Sequence, residues 1–259
     1  MKKPLAVLSF LGGLLLTVTL SLAAAPGTLT QFSTIGALMA GAYDGQVTCR
    51  ELLSEGDLGL GTFDKLDGEM VVLNRKIYQV KADGQVYTPG PQTTTPFAEV
   101  VQFMPEIRLK VKPGTDLSGL EKLINGAVAN ANIFSAVKIT GRFAGMKTRS
   151  VPAQKKPYPP LLEVAKHQAV FDLGDIAGTL VGFGAPEYAK GITVPGFHLH
   201  FVSADGKSGG HVLSFTVTAA TAEIAPIHRF LLILPEKDSA FGQLNLGQDR
   251  SKDLQQIEK

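Results

Sequence analysis

Cysteine is almost missing from this sequence, because Cys49 is the only one among 259 residues. A single thiol forms no internal disulfide, and it excludes a closed metal site built from several cysteines. Cys49 stands near the start of an expected helix in "DGQVTCRELLSEG", where we interpret it as a small buried apolar residue rather than a nucleophile. The stability of the fold must then come from its core, from association or from a metal.

Clusters of basic residues are also missing, so the sequence gives no indication of a nucleic-acid partner. The first residues combine a Lys-Lys pair with an uncharged apolar run from Leu5 to Leu22 and small residues after it. This pattern predicts a signal peptide over residues 1–23. The run is long enough to span a bilayer, so an uncleaved anchor is the alternative. After cleavage we expect an exported protein without a stable membrane anchor, either periplasmic or extracellular.

Signals for strands outnumber those for helices. Alternating or β-branched runs, broken by turns at Asn74-Arg75 and Asp83-Gly84, predict hairpins. The segment "DLSGLEKLINGAVANAN" predicts a helix capped by Asp116 or Ser118. We therefore expect an α+β fold with mixed β-sheets and few helices.

A stretch rich in Pro and Lys, residues 152–161, predicts a connection between two parts of the chain. We place an N-terminal α+β half at 24–151 and a C-terminal half at 152–259. Both run from a glycine-rich apolar segment to a turn and then to hairpins, so we interpret them as two similar halves produced by duplication.

Histidine is scarce too, yet three of the five stand in "VPGFHLHFVSADGKSGGHVLSF". Alternate side chains of a strand share a face, so His198 and His200 should point the same way. "SADGKSGG" predicts a turn, after which His211 begins the next strand. In an antiparallel pair the numbers of opposite residues have a constant sum. If that sum is odd, His211 shares the face of His200 and lies directly opposite it, with Cβ atoms about 5 Å apart, or diagonal to it at a slightly longer distance. The second half is thus predicted to carry a metal site on a β-hairpin.

Three imidazoles without a thiolate favour a metal ion that keeps an open coordination position. Closed structural zinc sites usually fill all four positions with protein ligands. Imidazole suits several transition metals, and we predict Zn²⁺, with Fe²⁺ or Mn²⁺ as the next candidates. His167 and His228 have no such neighbours in the sequence, and we interpret both as structural residues.

Four long segments resemble the α-acetolactate decarboxylase family, in the same order and over nearly the whole mature chain. They are "STIGALMAGAYDG", "GDLGLGTFDKLDGEMVVLNRKIYQV", "MKTRSVPAQKKPYPPL" and "GFHLHFVSADGKSGGHVL". Members of that family cut acetolactate to acetoin and carbon dioxide with a bound zinc. The resemblance implies a carboxy-lyase with a two-part α+β chain that forms a homodimer. Many members are exported, which agrees with the predicted signal peptide.

The resemblance also implies a set of site residues. The family's zinc ligands fall on His198, His200 and His211, its active-site glutamate on Glu69, its threonine on Thr62, its arginine on Arg149 and its second glutamate on Glu258. The match of Glu258 rests on the short tail "LQQIEK", and Glu236, in a different motif, is the fallback.

Loss of carbon dioxide from a 2-hydroxy-3-keto acid leaves charge on carbon, which the neighbouring ketone can accept as an enediolate. We expect the metal to chelate the ketone and the hydroxyl and to stabilise that charge. Arg149 is expected to hold the substrate carboxylate, and Glu69 to move a proton. Glu258 either completes the metal shell or shares the acid–base work. Thr62 either binds substrate or stabilises a turn.

Two other functions fit parts of the pattern. Histidines in an H-x-H strand also occur in cupin-like metalloenzymes, although no Glu follows His200 at the short spacing typical of cupins. A non-catalytic exported metal-binding protein needs only the histidines. It would leave Glu69, Arg149 and Thr62 remote from them.

Overall fold

The computed structural model describes residues 27–236 and 240–258. The predicted signal peptide lies outside the described residues. Within them, no helix is both long enough and apolar enough to cross a membrane.

Strands dominate the described chain, and the expectation of β-sheets with few helices is confirmed. The strands are β1 (Thr28–Phe32), β2 (Val47–Thr48), β3 (Leu58–Thr62), β4 (Glu69–Leu73), β5 (Lys76–Val80), β6 (Val86–Tyr87), β7 (Thr94–Thr95), β8 (Ala98–Val101), β9 (Ile107–Val111), β10 (Phe134–Ser150), β11 (Ala169–Ala185), β12 (Gly196–Ser203), β13 (Gly209–Ile227) and β14 (Arg229–Ile233). The α-helices are α1 (Ile35–Met39), α2 (Cys49–Glu55), α3 (Leu117–Val128), α4 (Leu161–Ala165) and α5 (Ser251–Glu258). Single 3₁₀ turns lie at Asp64–Leu66, Glu187–Ala189 and Ala240–Gln243.

Two sheets contain most of these strands. The first has seven strands in the order β14-β1-β8-β3-β4-β5-β6, in which only β1 and β14 run parallel. The second has five strands in the order β10-β11-β12-β13-β9. Because β10 also pairs with β13, four of these strands form a closed ring of pairings. Strands β2 and β7 form a separate small ladder.

The two sheets do not divide the chain at residue 152. Strands β9 and β10 precede that residue but belong to the second sheet, and β14, which follows it, belongs to the first. The sheets also differ in strand number and order, so the strand topology gives no support to the predicted duplication.

Local signals in the sequence set several element ends. Asp116 caps α3, since its Oδ1 accepts a hydrogen bond from the Gly119 N–H at 2.8 Å. Asn74 and Arg75 both have positive φ, 52° and 62°, which suits the two-residue turn between β4 and β5. The predicted cap and the predicted turn are both confirmed.

The sheets face each other across an apolar layer that includes Leu29 and Leu60 from the first and Val181 and Phe183 from the second. Helix α2 covers the other face of the first sheet, where Cys49 is buried as predicted. Helix α3 covers the other face of the second sheet. Helices α1, α4 and α5 close one end of the layer between the sheets, through a further apolar cluster.

Candidate metal centre

Three histidines lie side by side on the hairpin of β12 and β13. His200 pairs directly with His211, and His198 lies two residues earlier on the same face. The three ring centroids are 4.9, 5.1 and 5.3 Å apart. Leu199 and Phe201, which alternate with them, pack in the core on the opposite side of the sheet. The shared face predicted from strand alternation is therefore confirmed.

The imidazoles are arranged as ligands rather than as members of a hydrogen-bonded network. Their ligand nitrogens lie within 4.8 Å of one another, and all three rings are buried. The Nδ1 of His200 is 2.8 Å from the Met70 carbonyl, which can only accept, so Nδ1 carries the proton and Nε2 is a free lone pair. This Nε2 and the Nδ1 of His198 have no hydrogen-bond partner in the part of the chain that the structure describes. The chemistry of the donor set, three neutral imidazoles, fits a metal such as zinc.

Electrostatics keep these rings in the form that binds metal. Burial lowers the pKa of His198 to about 3, and burial also lowers the pKa of His200 and His211 well below the ordinary value. The nearby Arg149 cation acts in the same direction on all three. Neutral imidazole offers the lone pair that a metal ion needs.

Glu69 reaches the histidines from the first sheet. It begins β4 directly after Gly68, whose φ of +93° and close approach to the Val80 carbonyl, 2.3 Å from an added Cβ, leave no room for a side chain. One Glu69 oxygen is 3.5 Å from the Nε2 of His200, and the other is 3.4 Å from the Nη1 of Arg149. Burial raises the pKa of Glu69 to about 7, although the Arg149 charge opposes this shift.

Arg149 lies between the two glutamates. It pairs with His211 across β10 and β13, and it is only 4 % exposed. Its Nη1 is 3.4 Å from Glu69 and its Nη2 is 3.6 Å from Glu258. At these lengths the groups attract one another without forming short hydrogen bonds. The guanidinium can therefore turn toward another anion without first breaking a tight pair.

Glu258 approaches from the last turn of α5. Its Oε2 is 3.7 Å from the Nε2 of His198 and 3.6 Å from that of His211. Leu254 and Ile257 of the same helix are buried in the cluster that also holds α1 and α4, so the tail is anchored. Burial raises the pKa of the Glu258 carboxyl, and the Arg149 charge opposes it. The fallback residue, Glu236, is exposed.

Thr62 lies beside Glu69 in the register of β3 and β4. Its hydroxyl donates to the Gly68 carbonyl at 2.8 Å, so it stabilises the turn that precedes Glu69. Its side chain is buried and lines the same small cavity as the three histidines. His167 and His228 are exposed. The structure thus brings together all seven residues predicted for the site.

The seven residues line a cavity of about 40 Å³. Its remaining walls are apolar and come from separate elements: Leu38, Leu66, Phe97, Val151 and Leu161. Sequence reasoning missed these residues, because nothing in their local patterns marks them as neighbours of the histidines. An outer groove of about 700 Å³ meets the site at His211 and Glu258. Sequence reasoning also missed the buried Glu99, whose position in the apolar run "FAEVV" was the available signal.

The formal charges define what the cavity can hold. With both glutamates ionised, their charges and that of Arg149 sum to one negative charge, and three neutral histidines add none. A divalent cation would leave one positive charge, which suits a monoanionic substrate. Because Glu69, Arg149 and Thr62 do surround the histidines, the arrangement exceeds what a non-catalytic metal-binding protein needs.

Comparison with known proteins agrees with this geometry. The family model described as alpha-acetolactate decarboxylase matches residues 29–248. Proteins named alpha-acetolactate decarboxylase from Methanosarcina mazei and Brevibacillus brevis are each 42 % identical, over 91 % and 89 % of this chain and 81 % and 80 % of their own. The crystal structure of alpha-acetolactate decarboxylase from Bacillus subtilis superposes with a TM-score of 0.86 at 35 % identity, covering 89 % of this chain and 99 % of that one. The chain belongs to the alpha-acetolactate decarboxylase family.

Proposed function

We propose that this protein converts 2-acetolactate to acetoin and carbon dioxide, with Zn²⁺ held by His198, His200 and His211. One observation carries the proposal: three neutral, buried imidazoles converge between two glutamates and an arginine. Family membership supports the same reaction, since the relatives reported above are named for it.

When bound, the divalent cation supplies a Lewis acid for the ketone and hydroxyl oxygens of the substrate, where charge develops as carbon dioxide leaves. The bond breaks between the carboxylate and the carbon that carries the hydroxyl, and its electron pair is delocalised toward the ketone. That carbon must then gain one proton, so the reaction consumes one proton for each carbon dioxide released.

Arg149 is the group that can bind the substrate carboxylate. It is buried within the cavity, and its ion pairs with Glu69 and Glu258 are long, at 3.4 and 3.6 Å. A bidentate pair with a substrate carboxylate would be shorter and stronger. When the substrate carboxylate leaves as neutral carbon dioxide, this interaction is lost and the arginine can return to the glutamates.

Glu69 and Glu258 reach the histidine nitrogens from different sides, one beside His200 and the other beside His198 and His211. This placement supports two proton-transfer groups, one facing the hydroxyl and one facing the carbon that gains a proton. Burial raises the pKa of both carboxyls, and the value of about 7 for Glu69 suits a group that exchanges protons near neutral pH. Glu258 is also close enough to the nitrogens to serve as a further metal ligand. We propose that Glu69 transfers protons, and that Glu258 either transfers protons or binds the metal.

The test is acetoin release from fresh racemic acetolactate by the mature protein. It is measured before chelation, after chelation, and after separate additions of Zn²⁺, Fe²⁺ and Mn²⁺. We expect chelation to remove the activity and Zn²⁺ to restore more of it than Fe²⁺ or Mn²⁺. Absence of acetoin from folded, metal-loaded protein would refute the reaction, and restoration by Fe²⁺ or Mn²⁺ alone would refute zinc.

We also propose a homodimer. Strand β14 is at the edge of the first sheet, where its backbone groups on one side have no neighbouring strand among the described residues. Its Leu231 and Ile233 are 42 % and 36 % exposed, and Leu234 just beyond is 51 % exposed. Sedimentation should give a dimer, and Leu231→Lys should shift it toward monomer. A monomeric wild-type protein would contradict the proposal.

Export is the last element of the proposed function. It is supported by the lysine pair, the apolar run and the small residues near the start of the chain. Expression of the full chain in a bacterial host, followed by N-terminal sequencing of the periplasmic or extracellular product, tests it. A mature protein beginning near residue 24 is expected. Uncleaved protein in the membrane fraction would favour the anchor.

A further inference from the structure

A further buried carboxyl lies outside the site. Glu99 is in β8 and is 0 % exposed, but it does not border the cavity that Glu69 and Glu258 line. A buried ionised carboxylate is costly unless a cation or several donors compensate for it. In the described part of the chain, no cation is among the groups that act on its pKa. The Thr193 hydroxyl donates to its Oε1, and its Oε2 has no partner among the described residues.

A second polar side chain with an unpartnered atom lies beside Glu99 in the sheet. Gln31 of β1 pairs directly with Glu99, so the two side chains share a face. The Gln31 Nε2 donates to the carbonyls of Ser33 and Ile192, both at 2.7 Å. Since carbonyls only accept, the amide cannot be flipped. Its Oε1 must therefore point elsewhere, and it too is buried without a partner among the described residues.

One proton on Glu99 would supply the donor that both atoms lack. We infer that a protonated Oε2 donates to the Gln31 Oε1, since an ionised Glu99 would add a second acceptor beside it. Burial raises the pKa of Glu99 to about 7, and the negative charge of Glu258 acts in the same direction. The geometry and the electrostatics thus favour the same protonation state.

The polar group anchors the segment from Gly191 to Val194. Gln31 binds the Ile192 carbonyl, Glu99 binds the Thr193 hydroxyl, and α1 adds bonds from the N–H groups of Ile35 and Gly36. Val194 packs in the same cluster as Leu254 and Ile257, which hold α5. The anchored segment is thus part of the support for the helix that carries Glu258.

We propose that Glu99 is a positioning residue for Glu258: as a neutral acid it joins Gln31 to Thr193 and fixes the segment against which α5 packs. Glu99 is not among the residues that line the cavity, so we infer that it acts through that segment. Its effect on turnover rests on the proposed function, whereas its effect on the order of α5 does not.

Amide hydrogen exchange of the zinc-loaded full mature chain tests the positioning directly. The variants are Glu99→Leu and Thr193→Val, which break the link, and Glu99→Gln, which preserves a neutral donor and acceptor. Thr30→Val is the matched control, because it removes a fully buried hydroxyl from the opposite face of β1. We expect exchange in α5 to rise about fivefold or more in the first two variants, as for loss of a buried hydrogen bond. Glu99→Gln and the control should leave it unchanged, and α3 should be unaffected throughout.

Turnover gives the second readout. Glu99→Leu and Thr193→Val should lower kcat while zinc content stays at the wild-type level, and Glu99→Gln should keep the wild-type kcat.

Unchanged α5 exchange in both link-breaking variants would overturn the proposal, and Thr193→Val alone decides if Glu99→Leu does not fold. Equal loosening of α3 would show a general loss of stability instead. Faster α5 exchange in Glu99→Gln would show that the ionised form of Glu99 is needed, which would contradict the neutral-acid proposal. If the wild-type protein releases no acetoin, the proposed function fails, and exchange still decides the role of Glu99.

Discussion

Replacing Glu99 by Gln should change how the free energy of unfolding depends on pH. Burial raises the pKa of Glu99 from 4.5 to about 7, so the folded protein binds this proton more tightly than the unfolded chain does. An acid with a raised pKa contributes stability at low pH, and the contribution is lost as pH rises from the unfolded to the folded pKa. Gln does not titrate and has no such loss.

The expected size follows from that shift. The unfolding free energy of the variant minus that of the wild type should rise by roughly 2–3 kcal/mol between about pH 5 and about pH 8. Urea unfolding at several pH values measures it. Far-UV circular dichroism is a suitable signal because the chain has no tryptophan. Groups that do not act on Glu99 titrate alike in both proteins and cancel in the difference, whereas Glu258, whose charge acts on Glu99, contributes to it.

Glu223→Gln is the control. Hydrogen bonds from Lys138 and Arg108 lower the pKa of Glu223, so its contribution is lost only as pH falls below this range. Its difference from wild type should therefore stay flat from about pH 5 to about pH 8. A flat difference for Glu99→Gln as well would show an ordinary pKa for Glu99 and refute the neutral-acid argument.

Three further substitutions test the site. His200→Ala should lose metal and turnover together, measured by elemental analysis and acetoin release, while His228→Ala, at an exposed position, should change neither. Glu69→Gln should keep the metal and lose turnover by about 100-fold or more, as expected for a proton-transfer group; normal turnover would remove Glu69 from the mechanism. Arg149→Ala should lower kcat/KM at least about tenfold without releasing metal, because a charge-assisted pair to the substrate is lost. Arg142→Ala, an exposed arginine on the same strand, should have no effect, and equal effects of the two would show that Arg149 does not contact substrate.

The histidine hairpin was predictable because its determinants are local. Strand alternation fixes that His198 and His200 share a face, and the turn signal brings His211 back beside them. The same reasoning located the turn at Asn74-Arg75. None of these predictions needs information from distant parts of the chain.

Sheet membership was not predictable in the same way. The parallel pairing of β14 with β1, and the inclusion of β9 and β10 in the second sheet, join strands that are far apart in sequence. Such pairings depend on which apolar faces pack together, and the local pattern of one strand does not encode its partner. The proposed boundary at residue 152 rested on a local Pro-rich signal and does not coincide with the sheets.

Glu258 and Glu99 show the same limit for single residues. By its local sequence Glu258 belongs to a polar tail, and only the packing of Leu254 and Ile257 against α1 and α4 carries it to the histidines. Glu99 conflicts with its own apolar strand, and a local conflict of this kind often marks a functional position. Its partner Gln31 became identifiable only through the register of β1 and β8.

The inner faces of the two sheets explain why the site is buried and yet highly charged. On β12, His198 and His200 share their face with Val202, and on β4, Glu69 shares its face with Val71. The layer between the sheets is therefore apolar over most of its length and polar at one end. The apolar part stabilises the two sheets against each other and so holds the charged groups apart at 3.4 to 3.7 Å. Groups that cannot relax into tight pairs keep their attraction for a cation and an anionic substrate, which is the condition for stabilising charge during a reaction.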